Sequence, residues 1–219
     1  MKSQSLAISA YLLIGLPMSL CSRDGVSAEK EFDLVIAGGR VVDGSGAPWY
    51  AADVAIDDGK IVQIGRIAAD DADKVIDARG MIVAPGFIDM MGQTASPMLD
   101  DPQTAINLLT QGITTINAGE GGSAAPLSEE EGNRLGYTTM SEYFTLVESK
   151  GLPVNLVQTV GHTQVRRIVL GDADRRPSDE ELKQMQELVR EAMEAGAIGV
   201  STALIYPPAI YAQTREIAA

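Results

Sequence analysis

The run Val83-Ala84-Pro85-Gly86-Phe87-Ile88-Asp89-Met90-Met91-Gly92-Gln93 divides this chain into two architectures. Ahead of it lie short apolar stretches joined by Asp-Gly turns; behind it, apolar strands and capped helices alternate to the last residue. A continuous apolar segment with a carboxylate near its end reads as a buried parallel strand whose C-terminal end faces a site. Pro85 agrees with that reading only at the strand's first residues, because proline cannot donate to a central ladder.

Residues 32–83 read as a small β unit. Asp33–Ile36 leads through Gly38-Gly39 to Val41-Val42, and Asp43-Gly44 turns the chain. Val54 and Ile56 alternate with polar residues up to Asp58-Gly59, a hairpin signal, after which Ile61, Val62 and Ile64 follow. From Pro85 the period changes. Asp101-Pro102 offers an N-cap and a proline at the first helical position; Ala105, Leu108 and Leu109 give an apolar face, and Gly112 ends it. Thr139 with Glu142, and Ser178 with Glu181, form capping boxes for helices stopped by Gly151 and Gly196. Ile113–Asn117, Val154–Val160 and Ile198–Thr202 are the second, third and fourth strands. Strand and helix in this rhythm predict a parallel sheet with crossover helices.

Charge narrows the partners. The formal net charge is −13, with no basic cluster to meet phosphates, so a nucleic-acid partner is excluded from the reading. Residues 1–28 read as a signal peptide: Lys2 gives the charged start, Leu6 to Leu20 the apolar region, and Val26-Ser27-Ala28 the cleavage site. That apolar region is too short to span a membrane, and no other run approaches that length. Export to the periplasm or beyond is expected. Cys21, the sole cysteine, would leave with the leader. Anchoring through a lipid on Cys21 is the alternative, disfavoured by the bulky Leu20 before it.

The ordered set of motifs carries a resemblance. DLVIAGGRVVDGSGAPW and DVAIDDGKIVQIG, then PGFID, resemble the amidohydrolase superfamily of metal-dependent hydrolases. GEGGSAAP, GHTQVRR and GAIGVSTALIYPPAIYA narrow this to its D-aminoacylase, or N-acyl-D-amino-acid deacylase, branch. The resemblance covers about residues 32–219. It implies an α/β fold: a partial TIM-like (β/α)8 barrel over 85–219, preceded by half of a β-sandwich over 29–84. A complete barrel takes about 250 residues, so 85–219 reads as the first half of one, inactive alone and prone to aggregate through unpaired strands.

In barrels, functional groups sit at strand C-terminal ends. Those ends are Asp89–Gln93, Asn117–Gly122, Gly161–Arg167 and Ser201–Tyr206. The resemblance expects a His-x-His pair after PGFID, and Met91 and Gln93 stand at those positions. A thioether and an amide are poor zinc ligands, so Met91 reads as a packing residue and Gln93 as a hydrogen-bonding group for substrate or water. Glu120 resembles the family's metal ligand after the second strand; the competing reading is an exposed loop glutamate. Gly119-Glu120-Gly121-Gly122-Ser123-Ala124 also fits a dinucleotide-binding pattern. That pattern must open a helix directly, whereas Pro126 and an acidic loop at Glu129–Glu131 follow here, so it is rejected.

His162 is the only histidine. A lone histidine is more often structural than a ligand; the resemblance places it near the pocket, binding substrate with Arg166 nearby. Tyr206, before Pro207-Pro208, resembles a pocket wall. The implied activity is metal-dependent hydrolysis of the amide of a small N-acyl-D-amino acid, with one zinc ion per chain. The imidazole ligands and the proton-shuttling aspartate are expected after Ala219. Two alternatives stay open: action on another linear or cyclic amide, and a non-catalytic binding protein derived from the barrel.

Overall fold

The computed structural model describes residues 30–219; the expected leader and Cys21 lie outside them. Two compact units are present, one ending at Ala84 and one beginning at Pro85.

The first unit is one five-stranded sheet. β1 (Phe32–Val41) pairs antiparallel with β2 (Tyr50–Asp57), and β2 with β3 (Lys60–Gly65). Asp58 and Gly59 join β2 to β3 with both φ angles positive, as the tight hairpin turn requires. β4 (Ala72–Asp77) and β5 (Ile82–Val83) both run parallel to β1, along different parts of its length. Midway along β1 the register shifts at a bulge between Ile36 and Gly39. There the Asp53 carboxylate accepts from the backbone N–H of Gly38 at 2.7 Å and of Ile67 at 3.0 Å. The buried centre is small: Phe32, Val35, Ala55 and Ala72.

The second unit is mixed α/β with every ladder parallel. β6 (Phe87–Gln93), β7 (Ile113–Ala118) and β8 (Asn155–Gln158) form one sheet in that order. β9 (Val160–Gly161) pairs with β10 (Val200–Ser201). The expected third strand is therefore split at Thr159. Its N–H and its hydroxyl both donate to Ala118 O, at 2.9 and 3.0 Å, and the next residue, Val160, pairs instead with Val200.

Helices fill the connections. After α1 (Ser96–Asp100), Asp101 caps a single 3₁₀ turn at Pro102–Ala105, its side chain accepting from Gln103 N at 3.0 Å, and α2 (Ile106–Leu109) follows. The helix expected up to Gly112 is thus two short pieces. Glu129–Glu131, expected as loop, is the first turn of α3 (Glu129–Leu135), with its own Ser128–Glu131 capping box. α3 starts beyond Pro126 rather than at the glycines. α4 (Met140–Lys150) and α6 (Asp179–Glu194) begin at the expected boxes. Between them, α5 (His162–Leu170) starts directly after β9, in a segment the sequence reading leaves outside any helix. α7 (Thr214–Ile217) is one turn. Tyr143, Met140, Val160, Val165, Met185 and Ala192 join α4, β9, α5 and α6 into the main core; Ala95, Met98, Ala105, Ile116 and Val154 form a second.

The start of α6 carries a pH signature. Arg175 donates from Nη1 and Nη2 to the two Glu181 carboxylate oxygens, both at 2.7 Å, and Ser178 N donates at 2.8 Å. These bonds, Arg175's first, hold the Glu181 carboxyl at about 2 against an ordinary 4.5. A carboxyl depressed on folding contributes fully above its unfolded pKa and is lost as pH falls towards the folded one. Amide exchange in residues 179–182 should therefore accelerate as pH drops from 4.5 towards 2, beyond its intrinsic pH dependence. In Arg175→Ala, which removes the largest cause of the depression, that acceleration should be smaller and should level off nearer 4.5; an identical profile in both proteins would refute the assignment.

Candidate functional site

All ladders of the second unit being parallel, their C-terminal ends open on one side, the side where α/β sheets bind ligands. Gln93 pairs with Ala118, Ala118 with Gln158, and Gly161 with Ser201, so the four tips are level. Beyond them lies a cleft of about 800 Å³. Met91, Gln93, Glu120, Thr163, Arg167 and Tyr206 are among its lining residues.

The loop bearing Glu120 is held by backbone. Gly119 N donates to Gln93 O at 2.8 Å, Gly121 N to Ser201 Oγ at 3.0 Å, and Thr163 N to Gly121 O at 3.2 Å. Ser201 Oγ also donates to Gly119 O. Glycine is required here: Gly119 and Gly121 have φ of +97° and +73°, and a Cβ on Gly121 would meet the Ala203 Cβ at 2.5 Å. With two strand tips and the first turn of α5 gripping its backbone, the loop presents Glu120 to the cleft. The Glu120 carboxylate forms no hydrogen bond or ion pair with the described residues, so it is available to a ligand.

Gln93 and Met91 reach the same cleft from β6. Gln93 has a positive φ of 51°, a conformation uncommon outside glycine, and its carbonyl anchors Gly119. Met91 was expected as a packing residue. Instead it is 62% exposed, its N–H donating to Asp89 Oδ1 at 2.9 Å while its side chain lines the cleft. Tyr206 lines the opposite loop, after β10.

His162 and Arg166 are placed elsewhere. His162 Nε2 donates to Glu216 Oε1 at 2.9 Å, and Arg166 Nη1 donates to Oε1 and Oε2 of Glu216 at 2.7 and 2.5 Å. Arg166 Nη2 is taken by the carbonyls of Ala173, at 3.3 Å, and Arg175, at 2.7 Å. The Arg166 side chain is 0% exposed. Neither residue lines the cleft; His162 and Glu216 border a separate cavity of about 330 Å³ beside Met185, Val189 and Val200. The expected substrate contact by these two is corrected to a buried ion cluster tying α5 to α7. The reason is helix phase. Residues four apart share a face, so His162 and Arg166 point together into the interior, and Thr163 and Arg167 together into the cleft. Sequence reasoning passed over Arg167 and Glu216. The i, i+4 spacing from Thr163 would have exposed the first had a helix been assigned there.

As a metal centre, the described residues are incomplete: no three His, Cys, Asp or Glu side chains among them converge. Glu120 fits one ligand position, and Met91 and Gln93 do not fit a pair of imidazoles. No helix among the described residues is long and apolar enough to cross a membrane.

A model of the amidohydrolase family matches residues 74–219. The chain belongs to that family. Among curated proteins, this amidohydrolase chain is 38% identical over 201 residues to an N-acyl-D-aspartate deacylase of Alcaligenes xylosoxydans xylosoxydans, covering 87% of this chain and 40% of that protein. A D-aminoacylase of the same organism is 35% identical over 202 residues, covering 87% and 42%. A solved N-acyl-D-glutamate deacylase from Bordetella bronchiseptica, complexed with zinc and a phosphonate inhibitor, superposes with a TM-score of 0.78 at 36% identity, over 86% of this chain and 42% of that one. The chain therefore spans about two fifths of the length of the curated relatives it matches.

Proposed function

We propose that the protein containing this chain hydrolyses the amide bond of small N-acyl-D-amino acids, with this chain supplying one side of the active-site cleft. The observation that carries the reading is a carboxylate, Glu120, on a loop whose backbone is held by the tips of β6 and β10 and the start of α5, and left unpartnered by the described residues in a cleft at the C-terminal ends of parallel strands. Identity of 35–38% to D-amino-acid deacylases supports the substrate class.

The second unit is read as the opening part of a (β/α)8 barrel. In its support, β6 and β10 each pair on one side only among the described residues, and Phe87, Ile88 and Val200 on them are 62, 60 and 50% exposed. Closure by further parallel strands would bury these side chains. Glu120 is read as one ligand of a single zinc ion, the other ligands coming from outside residues 30–219. Bound zinc acts as a Lewis acid on a carbonyl oxygen. Gln93 and Tyr206 are read as substrate contacts in the same cleft, and the leader at 1–28 as an export signal.

The test is made on the full-length protein. Metal analysis should return one tightly bound zinc per chain, and N-acetyl-D-amino acids should be turned over in preference to their L-enantiomers. Two tight zinc ions would overturn the one-metal reading. Turnover of cyclic or simple amides alone would move the protein to another branch of the family. Binding of acyl amino acids without turnover would mark it as a non-catalytic relative.

A further inference from the structure

We infer that Arg167 is the cleft's anion-binding group and takes a carboxylate of the substrate, a step that rests on the deacylase reading. Among the described residues lining the cleft, Arg167 is the one cation and Glu120 the one anion. The rest are glycines, threonines, apolar side chains, Gln93 and Tyr206. An N-acyl amino acid is matched to this: a neutral amide to be cleaved and, a few bonds away, an anion to be held. A guanidinium is suited to the second task because its planar fork meets a carboxylate with paired donors.

The geometry leaves one arm of the fork free. Arg167 Nη2 donates to Pro207 O at 3.1 Å, and Nε reaches Asp172 Oδ1 only at 3.4 Å. Nη1 has no partner among the described residues. The side chain is 45% exposed, and Asp172 at 73% is largely solvated and weakly competing. The Pro207 hydrogen bond stiffens the arrangement, since it holds the fork against the loop that carries Tyr206. Arg166 offers the contrast one position earlier: same residue type, both terminal nitrogens committed, no route to the cleft.

Two carboxylates could be the one bound, the α-carboxylate that every such substrate carries or a side-chain carboxylate on an acidic one. Matched pairs separate them: N-acetyl-D-leucine against N-acetyl-D-leucinamide, and N-acetyl-D-glutamate against N-acetyl-D-glutamine. Each would be measured for kcat/KM, and for equilibrium binding, with full-length wild type and Arg167→Met. Removing the charge-assisted hydrogen bonds of the guanidinium should lower the acid-over-amide ratio by on the order of 10- to 100-fold for the pair whose carboxylate Arg167 holds. The effect should fall mainly on KM and be partly rescued in Arg167→Lys. If Arg167 only clamps the Pro207 loop, acid and amide fall together and both ratios stay put, which overturns the proposal. Wild type that binds the acids but turns none over fails the deacylase reading and leaves the anion site standing. Wild type that neither binds nor turns them over overturns both.

Discussion

Glu216→Gln is expected to lower the stability of the protein by about 3–5 kcal/mol, the range for breaking a buried ion pair by removing one partner. The geometry puts it at the costly end. Arg166, with no exposed side-chain surface, and His162, 7% exposed, both donate to this one carboxylate, which is itself 3% exposed. Replacing it by an amide keeps the shape and deletes the charge, so the guanidinium stays buried with its counter-charge gone. For a unit of this size such a loss lowers Tm by roughly 10 °C. It also takes a large share of the ~5–15 kcal/mol that holds a typical protein folded. A companion variant separates charge from packing. Arg166→Met with Glu216→Leu removes the pair together, and apolar replacement of a buried pair is often near neutral. The double variant should therefore recover much of the loss. Denaturant unfolding decides it: a single-variant loss under about 1 kcal/mol, or a double variant worse than the single, would show that the cluster is not an energetic unit.

That cluster also shows where sequence reasoning stopped. Local, self-contained signals were legible: the Asp58-Gly59 hairpin and the boxes at Thr139–Glu142 and Ser178–Glu181 each need only a few adjacent residues. The strand at Phe87 and the parallel ladders after it were legible from period and order, but the burial expected of that strand is not present: Phe87, Ile88 and Met91 are 62, 60 and 62% exposed. The Ser128–Glu131 box has the same chemistry as the other two but opens EEEGNRL, which has no apolar stripe at helical spacing, so it read as loop. β4 was missed because its six residues lie between no recognisable turn signals and its pairing partner is some forty residues upstream. The partnership of Glu216 with Arg166 spans 50 residues, so no local signal names the cation that Glu216 meets. At the site, the residue types were legible and their directions were not. Glu120, Gln93 and Tyr206 reach the cleft because strand tips and their loops always end there. Arg166 and Arg167 differ only in the phase of α5, which requires knowing that the helix starts at His162.

Glu120→Gln is expected to leave the fold intact and, on the one-zinc reading proposed above, to abolish metal binding and turnover. The two halves have separate grounds. The carboxylate forms no hydrogen bond or ion pair with the described residues, and its loop is held through backbone groups of Gly119 and Gly121, which the substitution does not touch. A surface change of this kind costs within about 0.5 kcal/mol. As a zinc ligand, though, the amide has lost the negative charge that makes the carboxylate a good donor. Outer-shell partners of metal sites already cost about 10–100-fold in affinity when removed, so a direct ligand should cost at least the upper end of that range. Zinc content after dialysis, read independently of activity, should fall from one per chain to a trace at unchanged unfolding midpoint of the metal-free protein. Glu120→Cys supplies a thiolate, itself a good zinc ligand, and should retain metal where Glu120→Gln does not. Full zinc occupancy in Glu120→Gln would show that the cation is held without this carboxylate. The cleft would then have to be explained by Arg167 and its carboxylate alone.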